Sequence, residues 1–96
     1  MYEIEIKPKA AAQIREAAIW YTKKQKEIGL FFLNEIESAF DAISINPFYA
    51  IRYKDLRGFV LKKFPFLILY RINEKQMAIT IFAVFHTAQD PNKYPQ

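Results

Sequence analysis

The side chains able to do chemistry in this 96-residue chain are few, and most are basic. His86 is the only histidine, and the chain has no cysteine. That excludes disulfides and Cys-ligated zinc, and one His among scattered carboxylates does not compose a metal site. Ser38 and Ser44 are the only serines, both within a predicted helix, which makes a serine triad implausible. Two glycines cannot build a phosphate-cradling loop, and neither a Walker loop nor a dinucleotide fingerprint is present. What remains is Arg57, Arg71 and His86, with Lys62, Lys63, Arg52 and Lys54 around them. An imidazole flanked by cations suits RNA cleavage without metal. One group takes the ribose 2′-OH proton, cations hold the phosphorane charge, and an acid protonates the leaving oxygen. For each residue a structural role competes with the chemical one. His86 would cap a strand end by bonding to backbone, the arginines would pair with surface carboxylates, and Lys62–Lys63 would form a solvated edge.

The elements that must position these residues follow from periodicity. Tyr2 to Lys7 alternates apolar and charged residues, which reads as a half-exposed strand. Pro8 opens a helix to about Lys26, with Ala10, Ile14, Ala17 or Ala18, and Tyr21 on its apolar line. Glu27–Ile28–Gly29 is the predicted break, with Gly29 in a left-handed turn. A second helix runs from about Leu30 to Ser44 on a stripe of Phe32, Leu33, Ile36, Phe40 and Ile43, and Asn46–Pro47 stops it. Pro47 to Asp55 is a connection with room for a short edge strand. Leu56–Phe64, Phe66–Ile72 and Gln76–His86 are the remaining strands, the last two joined at Asn73–Lys75.

The expected architecture is α+β, of order β-α-α-β-β-β, with an antiparallel helix hairpin on one face of a small, mostly antiparallel sheet. It forms one domain over residues 1–96. The last two strands are apolar on both faces, the mark of central strands. One face suits the helices; the other needs the tail, a loop or a partner as cover, and Tyr94 could fold back on it. Strand pairing also bears on chemistry. It sets Arg57 and Arg71 near one end of the sheet, with Arg71 opposite Met77 or Ala78. His86 falls opposite Phe64 to Phe66, nearer Lys62 and Lys63.

The net charge of +4 suits a nucleic-acid or acidic protein partner without requiring either. No apolar run approaches the ~18 residues of a membrane span, and the N-terminus is not a signal peptide. A cytoplasmic location is expected.

Residues spread over most of the chain resemble the RelE/ParE toxin superfamily of bacterial toxin–antitoxin pairs, and the ParE side more closely. They are Ala10-x-x-Gln13-Ile14 through Trp20-Tyr21, then Phe32, Ile36, Phe40, Ile43 and Pro47. Arg57 follows, then Pro65-Phe66-x-Ile68-x-Tyr70-Arg71, then Val84-x-His86 with Asp90-Pro91. The chain departs from the pattern at Gln13, where ParE-like chains commonly carry an acidic residue. It departs again at Thr87-Ala88-Gln89, where basic residues often follow the histidine. The resemblance implies a toxin held in a hetero-oligomer by a cognate antitoxin, which wraps it and covers exposed apolar surface. ParE-like members bind and poison DNA gyrase and need no cofactor. RelE-like members instead cleave mRNA on the ribosome, a role that would fall to His86, Arg57 and Arg71. A non-toxic interaction domain is the third possibility.

Overall fold

The computed structural model describes residues 1–88. Its elements run β1 (Glu3–Ile6), α1 (Pro8–Lys24), α2 (Lys26–Ile45), β2 (Ile51–Tyr53), β3 (Leu56–Val60), β4 (Phe66–Asn73) and β5 (Ala78–His86). The expected order holds, and the connection after α2 does carry a short edge strand, β2. The five strands form one sheet in the order β1-β5-β4-β3-β2. β2 to β5 make an antiparallel meander, while β1 lies parallel to β5 with Ile4 opposite Ile79.

Pro8 starts α1, where its missing N–H costs nothing. The helices are separated by Gln25 alone, in extended conformation at φ −164°, ψ 128°. Its carbonyl accepts the N–H groups of Ile28 and Gly29, and its N–H donates to the Tyr21 carbonyl. The break therefore falls four residues before Gly29, which lies inside α2 without a left-handed turn. Gly29 is needed for another reason: a methyl group there would overlap the Thr22 side chain across the helix contact.

Apolar burial drives both helices onto the sheet. Ala10 and Ala18 of α1 and Phe32, Ile36, Ala39 and Ile43 of α2 pack on Phe66, Ile68, Tyr70, Ile79, Ile81 and Val84. Ala39 takes the place expected of Leu33, which is exposed. β3 stops at Val60, short of the expected Phe64. The chain turns there, with Leu61 N–H bonded to the Phe66 carbonyl and Phe66 N–H to that of Phe64. The β4–β5 turn occupies four residues, with Met77 at φ 52°, so β5 begins at Ala78 and not Gln76. Arg71 consequently pairs with Thr80 and not with Met77 or Ala78.

A register shift between Leu69 and Tyr70 leaves Phe82 without a partner on β4. The bulge switches the alternation of β5. Ile79 and Ile81 lie toward the helices, but beyond Phe82 it is Val84 that does so. Ala83 and Phe85 join Leu56, Leu67 and Leu69 on the opposite face. None of these five is more than 8% exposed, with Tyr53 and Phe82 packed against them. The apolar side chains of the second sheet face are thus buried within the chain itself. The exposed apolar side chains include Ile19, Trp20, Leu30, Phe31 and Ile45 on the helices and Phe48 and Ile51 after them. Tyr94 lies outside the described residues.

Candidate functional site

Arg57 and Arg71 come to one end of the sheet but to opposite faces. Arg57 sits opposite Tyr70, on the helix side. Its guanidinium donates to the Tyr49 carbonyl at 2.8 Å and lies 5.4 Å from the Phe48 ring centre. Arg71 projects from the other face and grips Asp55 with two hydrogen bonds, 3.0 and 3.1 Å long. Such a fork matches guanidinium to carboxylate geometry. The hydrogen bond from Arg71 holds the Asp55 carboxyl below the usual aspartate range. The Arg71 guanidinium also covers the Phe82 ring at 4.8 Å.

His86 ends β5 opposite Phe66, on the helix side, with the two rings edge-to-face at 5.3 Å. Its Nδ1 accepts the Ala88 N–H at 3.1 Å. The neutral ring therefore carries its proton on Nε2. Arg71 is five positions from Phe66 along β4, which at ~3.3 Å per residue separates it from His86 by roughly 16 Å. A face of the sheet also intervenes.

The lysines and Arg52 divide further. The Lys63 ammonium lies over the Phe31 ring at 4.9 Å, and that of Lys54 lies 5.4 Å from Tyr53. Lys62 and Arg52 share a cleft of about 450 Å³ with Tyr49, Phe59 and Val60, and no carboxylate lines it. The Arg52 stem lies over Gly58, where a Cβ would strike it. The seven basic candidates thus lie in several places, with no single constellation around His86.

What His86 does have around it is aromatic. A recess of about 410 Å³ is lined by Ala17, Trp20, Tyr21, Phe66 and His86. It continues into a second hollow, of about 210 Å³, that adds Gln13, Glu16 and Val84. Gln13 Oε1 accepts the Val84 N–H at 2.7 Å, pinning α1 to β5 where β1 no longer runs beside it. Sequence reasoning missed this set. The available signal was the three- and four-residue spacing of Gln13, Glu16, Ala17 and Trp20, one face of α1 leading away from its core line. Among the described residues no three His, Cys, Asp or Glu side chains are grouped to hold a metal ion. No helix there is long and apolar enough to cross a membrane.

The sequence matches the profile of the ParE toxins of type II toxin–antitoxin systems, parDE, over residues 4–91. The chain belongs to this family. Its fold is also that of a chain from the "Chromosomal ParDE TA system from P. aeruginosa", with a TM-score of 0.75 and 19% identity. The match covers 90% of this chain and 96% of the other. Comparison with curated sequences gives no match.

As a ParE-family toxin, the chain presents two kinds of surface beside its core. One is the α1–β5 recess, apolar with a polar rim. The other is the β2–β3 edge, where Arg52 and Lys62 meet Tyr49 and Phe59. General acid–base cleavage needs its base, acid and cations within hydrogen-bond reach of one substrate. Arg71, tied to Asp55 across the sheet, is not placed to serve His86.

Proposed function

We propose that this type II toxin arrests growth by binding a protein target, DNA gyrase, and that a cognate antitoxin neutralises it in a cytoplasmic hetero-oligomer. The plasmid-stabilising role of toxin–antitoxin pairs follows from that neutralisation when such a pair is plasmid-borne. The observation that carries the binding reading is the separation of Arg71 from His86, at opposite ends and on opposite faces of the β4–β5 hairpin. A one-site nuclease needs them together; a binding protein does not. In this reading the target contacts draw on the basic edge, with Arg52, Lys54, Lys62 and Lys63 as contributors. Exposed apolar residues on α1 and α2 support an antitoxin interface, since patches of this kind mark contact sites.

The test is induced expression in a bacterial host, alone and with the adjacent small gene. Expression alone should arrest growth, co-expression should restore it, and His86→Ala should still arrest it. Arrest lost in His86→Ala together with codon-phased mRNA cuts would replace this reading with a ribosome-dependent endonuclease. Unaffected growth would leave a non-toxic interaction domain.

A further inference from the structure

The α1–β5 recess carries chemistry that target binding through the basic edge does not use. Its walls are the rings of Trp20, Tyr21, Phe66 and His86. Its volume of about 410 Å³ falls in the roughly 300–1,000 Å³ range of small-ligand sites. Trp20 is 56% exposed although it lines the recess, so a face remains for a ligand.

The polar rim offers both senses of hydrogen bond. Gln13 spends its carbonyl oxygen on the Val84 N–H, which fixes the amide and leaves its NH₂ as a donor. His86 spends Nδ1 on the Ala88 N–H, which leaves Nε2–H as a second donor. Glu16, exposed and without an ion pair among the described residues, supplies an acceptor carboxylate. The Lys24 ammonium lies over the Trp20 ring, 4.9 Å from its centre.

We propose that this recess binds a nucleobase with its attached phosphate, and guanine before the other bases. Flat rings stack on aromatic side chains whatever the base, so the exposed Trp20 supplies affinity without choice. Choice comes from the rim. Guanine presents two adjacent donors, N1–H and the 2-amino group, which a single carboxylate accepts together at Glu16. Its neighbouring O6 accepts from the Gln13 amide. Uracil has one donor between two acceptors and leaves half the carboxylate unused. Lys24 takes the phosphate as a point charge. The same chemistry comes from a free guanine nucleotide or from a guanine in a single strand.

Trp20 is the only tryptophan, so its indole N–H gives one assignable signal in the ¹H–¹⁵N spectrum of the full chain. Guanosine 5′-monophosphate should shift that signal saturably, with the backbone signals of Gln13, Glu16 and His86. Uridine 5′-monophosphate should bind about 10-fold more weakly, and Glu16→Gln should weaken guanine binding by about 10-fold. Lys24→Ala should weaken the monophosphate several-fold and leave guanosine unchanged. Tighter binding of the monophosphate than of a short guanine-containing DNA strand identifies a free nucleotide as the ligand; the reverse identifies a single strand. No saturable shift with either probe overturns the proposal. So does equal binding of the uridine probe, or preference for N-acetyl-arginine amide, which would make the aromatic box a cation cage. Toxicity assays leave the result untouched, because the recess is read from its own chemistry.

Discussion

At the scale of single residues, the Tyr70 hydroxyl is a buried and closely held polar group. The side chain is fully buried and donates to the Pro47 carbonyl at 2.6 Å, tying the loop after α2 to the central strand. Burial pushes its phenol up to about 12. In an unfolded chain a tyrosine titrates near ~10. The folded state therefore holds its proton more tightly, and the resulting stability is complete below that value and lost as pH rises toward about 12. Denaturation followed against pH should show this alkaline loss, and Tyr70→Phe should remove it. The same variant should cost about 1–3 kcal/mol at neutral pH, since the Pro47 carbonyl loses its partner. Arg71 and Asp55 behave oppositely. Their pair is exposed, so solvent screens it, and Arg71→Gln should change thermal stability little. It should nevertheless return the Asp55 carboxyl toward the ordinary aspartate range in an NMR titration. Sequence alone singled out Arg57, Arg71 and His86 as rare chemistry-bearing types. It did not disclose the Asp55 partner, because that contact joins residues sixteen apart through a turn.

At the scale of elements, the two helices and the paired strands were legible because period and apolarity agree over long stretches. The errors lie where backbone geometry overrode local residue type. Gly29 reads as a helix stop, but α2 runs through it because Gln25 supplies the break and Thr22 fills the space a Cβ would need. Gly29→Ala should therefore destabilise the protein by about 1–3 kcal/mol through overpacking, despite alanine's better helix propensity. The denaturation midpoint measures this. With Thr22→Ala beneath it, the Gly29→Ala cost should largely disappear. The bulge at Phe82 is likewise silent in the sequence: all candidate residues around it are apolar, so no polar alternation marks the switch of face. Its effect is large, since it places Val84 on the helix side. The recess around His86 was hidden for a related reason. It forms where α1 crosses the end of β5, and only the three-dimensional crossing joins Gln13 and Trp20 to Phe66 and His86.

At the scale of the whole molecule, the layering explains why the basic candidates lie apart. A small sheet apolar on both faces must bury both. Here the helices cover one face, and the apolar side chains of the other are buried as well. Charged side chains are pushed to edges and ends, where Arg57, Arg71, His86 and Lys62 come to different corners. A surface of that kind recognises a partner more readily than it cleaves a phosphodiester. The fold class was legible from element order and the family from dispersed residues such as Pro65-Phe66 and Tyr70-Arg71. The target was not, because the basic edge is compatible with protein and nucleic acid alike. The direct test is DNA supercoiling by purified gyrase in the presence of the purified toxin. Dose-dependent inhibition, retained in His86→Ala and relieved by the antitoxin, is the predicted result. Unchanged supercoiling, with codon-phased cleavage of ribosome-bound mRNA that His86→Ala abolishes, would contradict it.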